Sequence, residues 1–206
     1  MKVEVIDYND NWQAVKNAAM NTIGSENGKY PSPAWKRKIL LAEHSPIRLI
    51  ELTIRMKEIP YWVSVHLVRH KIGIEHWVST QRTDRTGINR DDLPQGALVD
   101  HTIRVNAQAL ITISRKRLCR QASPETQAVW RAVIQAVKEV EPELASVCHP
   151  DCVYRGFCPE MKGCGYINSG SGQLELGCYH FGTDMLVLNS TTIGVKNAIG
   201  NAMKEV

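Results

Sequence analysis

Polar and apolar residues alternate from Lys2 to Ile6, the period of a half-buried strand. Asp10 can then cap a helix that starts near Asn11 and sets Trp12, Val15 and Ala19 on one face. A second alternation from Glu51 to Met56 places Leu52, Ile54 and Met56 on one side of another strand. Pro60 sits where a helix can begin, with Trp62, Val65, His66 and Arg69 at helical spacing on one face. Residues 84–95, DRTGINRDDLPQ, concentrate Gly, Asn, Asp and Pro and read as a loop. An apolar segment, Val105 to Ile113, runs into the basic stretch SRKRLCRQ. Ser123, Pro124 and Glu125 provide an N-cap, a first-turn proline and an acid at the positive end of the dipole. That helix is predicted to run to about Glu141, burying Val129, Ala132, Val133, Ala136, Val137 and Val140, and to stop at Pro142. Ser169 to Gly172 read as a flexible linker, and residues 173–206 carry a weak helical pattern around Ile193, Ile199 and Met203.

With 206 residues and 43% apolar composition, the chain predicts one compact domain with a sizeable core. The net charge of +4 is mild. It suits a phosphate-bearing ligand and argues against a dedicated nucleic-acid binder, which would carry a stronger basic stripe. The first residues, MKVEVIDYND, lack a signal-like apolar run, and no stretch is long and apolar enough to span a bilayer. The expectation is a cytoplasmic protein with reduced thiols and no membrane partner.

The strongest chemical signal lies in residues 69–90, RHKIGIEHWVSTQRTDRTGINR, where Arg69, Lys71, Arg82, Arg85 and Arg90 outnumber Glu75 and Asp84. Such a cluster is commonly a solvated face laced with ion pairs. Its alternative is an anion site, because a nucleotide phosphate carries close to two negative charges and arginine offers fixed, bidentate donors. Spacing favours the second reading. Arg69-His70-Lys71 is followed, after seven residues, by Ser79.

That string resembles the Arg-His-Arg-x7-Ser signature of the flavin-dependent thymidylate synthases, with Lys71 in place of the last Arg. Further landmarks of that family occur in order: His44-Ser45-Pro46 at the Ser/Thr-Pro place, His66 at the place of a Gln, and Arg90 followed by Leu93-Pro94. Asn106-Ala107-Gln108 comes sixteen residues after Arg90, and Arg117 comes eleven residues after Asn106, both at the family spacing. The resemblance covers roughly residues 1–145. It implies an α+β fold with a central mixed or antiparallel sheet flanked by helices, followed here by a Cys-rich segment (146–166) and a tail of unknown role (167–206).

The resemblance also implies an activity: FAD-dependent methylation of dUMP to dTMP with methylenetetrahydrofolate and NADPH, in a homotetramer with shared active sites. Arg69, His70 and Lys71 would contact the flavin, and Ser45, Asn106 and Gln108 would help hold FAD. Ser79 or Thr80 with Arg82 would bind the nucleotide phosphate, and Arg90 would reach it from a neighbouring subunit. Arg117 would face the pyrimidine. His66, at the Gln place, and Arg117 are the candidate catalytic residues, and His66 and Arg69 also face the nucleotide.

Departures from the pattern are specific. The usual Glu after the triplet is missing, Thr83 stands for a Tyr, Gln108 for an Arg, and Ser79 and Thr80 compete for one register. The several tens of residues that the family places before its Arg-Leu-Pro segment are reduced to 83–89. These changes keep two alternatives open: a related flavoenzyme modifying another pyrimidine nucleotide, and a non-catalytic nucleotide- or nucleic-acid-binding module. Cys148, Cys152, Cys158 and Cys164, spaced C-x3-C-x5-C-x5-C, are candidate ligands of a structural zinc.

Overall fold

The computed structural model describes residues 1–25 and 28–182. The pattern around Ile193, Ile199 and Met203 lies outside the described residues. The chain divides into two units, residues 1–150 and 151–206.

In the first unit, β1 (Lys2–Tyr8) leads through α1 (Trp12–Asn21) and α2 (Pro33–Leu41) to a 3-10 turn at Ser45–Leu49. β2 (Glu51–Pro60), α3 (Tyr61–Leu67) and β3 (Ile74–Val78) follow. A short α4 (Thr83–Thr86) precedes β4 (Leu98–Asn106), α5 (Ala107–Arg117), α6 (Pro124–Val140) and α7 (Pro142–Ala145). The strands form one antiparallel sheet in the order β1-β2-β4-β3.

Register explains why one face of the sheet is core. Val5, Ile54 and Ile103 align across β1, β2 and β4, as do Val3, Met56 and His101, so every second side chain points the same way. Leu52, Ile54, Met56, Ile103 and Val105 on that face are buried. α3 and α6 pack over it. Both interruptions of pairing are bulges, and the one between Met56 and Ile59 holds Glu58 at φ 57°, its backbone N–H donating to Asp100 Oδ1 at 3.1 Å.

Several sequence expectations change. α1 begins after Asn11, not Asp10, and neither side chain caps it; Asp10 instead accepts from the Tyr30 hydroxyl at 2.5 Å. The buried face of α3 is Val63, Ser64 and Leu67, whereas Val65 is exposed, because the helix spans only two turns before the chain leaves for β3. α6 starts at its Ser123 cap as expected, but Val140 is exposed and Trp130 is the large buried residue, donating from Nε1 to Ser114 Oγ at 2.9 Å. The strands β3 and β4 were hidden by their polar members.

In the second unit, α8 (Asp151–Arg155) precedes α9 (Gly170–Phe181). The expected linker at Ser169–Gly172 is a helix start: Ser169 Oγ accepts the Gly172 N–H at 3.2 Å. Gly172 is needed there for closeness rather than flexibility, since a Cβ would stand 2.0 Å from the Tyr166 carbonyl oxygen. Gly172→Ala is expected to destabilise this unit by about 2 kcal/mol through forced displacement of the 166–169 turn, which urea titration followed by Tyr fluorescence and circular dichroism will register. An unchanged midpoint would remove the close-approach argument.

Among the described residues no group of three or more His, Cys, Asp or Glu side chains is placed to hold a metal, which corrects the zinc expectation at Cys148, Cys152, Cys158 and Cys164. All four are thiols. Cys148 is buried in the first unit, where desolvation pushes its thiol up to about 12, while Cys164 is exposed.

Candidate functional site

Two basic clusters lie along β3. The first is built on the turn between α3 and β3. Arg117, in the last turn of α5, donates from Nε to His70 Nε2 at 2.9 Å and from an Nη to the His66 carbonyl at 2.8 Å. His66 Nδ1 is 3.2 Å from Thr126 Oγ1, itself 2.9 Å from the Ser123 hydroxyl, so the start of α6 braces α3. Trp62 meets the His66 ring edge-on with centroids 5.4 Å apart.

Electrostatics make this cluster hungry for negative charge. Burial first, then the Arg117, His76 and Arg69 charges, pull the His70 imidazole down to about 4, so it is neutral near pH 7 and accepts from Arg117. Burial and the neighbouring Arg69 also hold Arg117 below its ordinary value. The like charge of Arg69 beside a partly buried guanidinium is relieved by an anion.

Gly73 brings the turn against α5. At φ +71° its Cβ would stand 2.5 Å from Asn106 Nδ2, and its carbonyl accepts the Asn106 N–H at 3.0 Å. Asn106 Oδ1 in turn caps α5, accepting from the Ala109 N–H at 2.9 Å. Gln108 donates to Glu43 Oε2 at 2.5 Å, and Arg115 pairs with the other oxygen of the same carboxylate. Ser45 is exposed at the start of the 3-10 turn next to Glu43.

The second cluster lines a cavity of about 490 Å³ bounded by Tyr61, Val78, Ser79, Gln81, Arg82, Arg90 and Asp91. The cavity thus unites Ser79, Arg82 and Arg90 of one chain. Ser79 continues the β3–β4 ladder: its N–H donates to the Asp100 carbonyl at 2.8 Å and its hydroxyl accepts the Asp100 N–H at 3.0 Å. Thr80 instead turns its hydroxyl back to accept the Arg82 N–H at 3.1 Å. Arg82 forms a bidentate pair with Asp84, at 3.0 and 2.7 Å, and both side chains are exposed. An exposed pair of this kind contributes at most about 1 kcal/mol, so a phosphate can displace it. Arg69 and Lys71 are exposed on the turn of the first cluster.

Sequence reasoning missed Gly73, His76, His101, Tyr61 and Thr126. A glycine two residues after a basic triplet, and histidines at alternating strand positions, were the available signals.

For a nucleotide cofactor such as FAD, the donors Arg69, His70, Lys71 and Arg117 fit an anionic group. On the opposite flank Gln108 is held by a carboxylate rather than offering a cation. The fit therefore rests on the 69–73 turn.

The architecture defines a class: an α+β fold with a four-stranded antiparallel sheet flanked by helices. Its particular form is similar to that of solved flavin-dependent thymidylate synthases. The flavin-dependent thymidylate synthase of Helicobacter pylori, solved with FAD and dUMP, superposes with TM-score 0.60 at 14% identity, covering 72% of this chain and 100% of that one. The UMP/dUMP methylase PolB of Streptomyces cacaoi, bound with 5-Br dUMP, gives 0.58 at 16% identity over 76% and 95%. A flavin-dependent thymidylate synthase of Nitratidesulfovibrio vulgaris is 31% identical over 85 residues, 39% of this chain and 35% of that protein. The match thus spans about a third of the length of that curated relative. No family model matches the chain. Among the described residues, no helix is long and apolar enough to cross a membrane.

Proposed function

We propose that this protein binds dUMP and methylates its pyrimidine at C5 in an FAD-dependent reaction that uses methylenetetrahydrofolate and NADPH. The observation that carries the reading is an arginine-lined cavity at Ser79, supported by a partly buried cation, Arg117 of α5, that donates to the turn before β3. Ser79 lies three residue steps beyond His76 along the direction of β3, roughly 10 Å at about 3.4 Å per residue, a span suited to the length of one nucleoside monophosphate. In this reading Ser79, Arg82 and Arg90 bind the phosphate, and Arg117 faces the uracil oxygens. Arg117 acts by placing fixed positive charge where the base gains negative charge. His66 shapes the base side of the pocket through Thr126 and presents its carbonyl to Arg117.

Bound FAD would supply the hydride chemistry, held by Arg69, His70 and Lys71 with Ser45, Asn106 and Gln108 on the far side. The protein's own work is to orient the base, keep Arg117 desolvated and neutralise the phosphate. The assembly is a homo-oligomer, proposed as a tetramer, in keeping with an outer sheet face that leaves Trp77 54% exposed.

Purified protein that is yellow near 450 nm, or becomes so with FAD, and converts dUMP to a product heavier by one methylene under these co-substrates is the expected result. Protein that neither takes up FAD nor retains dUMP overturns it. A second reading, action on another pyrimidine nucleotide, is favoured by His66 at the Gln place and by the likeness to a methylase named for UMP and dUMP; incubation with UMP and dCMP separates the two by product mass. Arg82→Ala is expected to weaken dUMP binding about tenfold while leaving the affinity for deoxyuridine unchanged, because one exposed charge-assisted contact is lost. Calorimetry with both ligands checks this, and equal losses for nucleotide and nucleoside would remove Arg82 from the phosphate.

A further inference from the structure

Two histidines without a role in the pocket lie beneath the same turn. His101, on the inner face of β4, is fully buried; His76 lies on the edge strand β3, partly buried. His76 Nε2 stands 2.8 Å from the His70 carbonyl oxygen, and His76 Nδ1 stands 3.0 Å from His101 Nε2. A carbonyl only accepts, so His76 Nε2 carries the hydrogen. In the neutral ring Nδ1 then accepts, so His101 Nε2 carries its hydrogen and His101 Nδ1 holds a lone pair. That Nδ1 is buried and has no partner among the described residues, and an unmatched acceptor there costs less than an unmatched N–H. One direction of donation therefore satisfies both contacts: His101 to His76, His76 to the His70 carbonyl.

The His70 ring sits at the end of this chain. Its Nε2 accepts from Arg117 Nε at 2.9 Å, which assigns its hydrogen to Nδ1. Residues 68–73 form a short turn, with Gly73 in the left-handed region and Lys71 and Ile72 exposed. A side-chain donor at the His70 carbonyl is thus what ties the middle of the turn to the sheet. We propose that His76 and His101 are positioning residues of the nucleotide site: their directional hydrogen-bonded pair fixes the His70 carbonyl, and through it the His70 ring that orients Arg117. The inference rests on the reading of Arg117 as the uracil contact.

The test compares His76→Leu, which removes the donor at similar volume, with His76→Gln, whose amide N–H replaces Nε2–H. His101→Leu, which removes the donor to His76, is read in the same way. Long-range 15N correlation spectra report the His70 tautomer, and calorimetry reports dUMP affinity at fixed ionic strength. The expected result is a His70 that stays in the Nδ1–H form in the unsubstituted protein and in H76Q, with dUMP affinities within threefold of each other. In H76L and H101L the His70 tautomers mix and dUMP binds about tenfold more weakly. A His70 tautomer unmoved by H76L overturns the positioning role, as does an H76Q that behaves like H76L. If the unsubstituted protein does not bind dUMP, the tautomer comparison still decides this inference, and only the nucleotide reading falls.

Discussion

Arg117→Ala is expected to weaken dUMP binding by about 100-fold, the largest effect of any single substitution in the candidate site. The guanidinium is partly buried, and two of its nitrogens already donate to His70 Nε2 and the His66 carbonyl. Such geometry costs little entropy on binding, so removal loses nearly the whole charge-assisted contact, about 2 to 3 kcal/mol. It also leaves the His70 acceptor unpaired in a partly buried position. Arg117→Lys restores the charge but not the planar fork, and is expected to stay at least tenfold weaker than the native protein. Calorimetry with dUMP at constant salt decides the matter; affinity within threefold of native for the alanine variant would take Arg117 out of the site.

The second large effect is loss of stability in acid between about pH 6.5 and pH 4. Burial, and then the charge of His76, pull His101 from its ordinary 6.5 to about 4. As pH falls through this window the unfolded chain takes up a proton at His101 while the folded protein does not, so stability is lost progressively and the loss is complete below about 4. The depression corresponds to about 3 kcal/mol for this fully buried ring. His70 acts in the same direction over the same window, being pulled from 6.5 to about 4. Glu141 acts oppositely: burial, followed by its contact with Glu143, raises its carboxyl, so the folded state gains that proton first as acid is added. His101→Gln keeps an N–H toward His76 and removes the titration. Its stability is expected to fall about 3 kcal/mol less than native between pH 6.5 and 4, measured by denaturant melts at stepped pH. Parallel curves for the two proteins would show that His101 is not the source.

Alternation alone located β1 and the first half of β2, because the inward positions Val3 and Val5 of β1 and Leu52, Ile54 and Met56 of β2 are all apolar, and the Ser-Pro-Glu start located α6. β4 escaped notice because His101 occupies an inward position between Val99 and Ile103, so its alternation reads as broken. β3 escaped because Ile74 to Val78 carries Glu75 and His76 within a basic stretch, and an edge strand with charged residues has the composition of a loop. The Ser169–Gly172 segment misled for another reason: glycine there serves contact with Tyr166, which sequence cannot distinguish from flexibility.

Residue spacing was enough to nominate Arg69, His70, Ser79, Arg82, Arg90 and Arg117 as one candidate set. What it could not determine was which of them meet. The sheet register places His76 and His101 on the core side as diagonal neighbours, the Gly73 approach to Asn106 folds the basic triplet back over them, and these contacts join residues far apart in the chain. Whether Ser79 or Thr80 faces the arginine cavity was likewise decided by the ladder: Ser79 continues the pairing with Asp100 at the cavity wall, while Thr80 turns back to the Arg82 amide. The sequence by itself determined the charge and the chemistry available. The tertiary structure decided their neighbours and desolvation, and these set whether a histidine is a neutral acceptor or a surface cation.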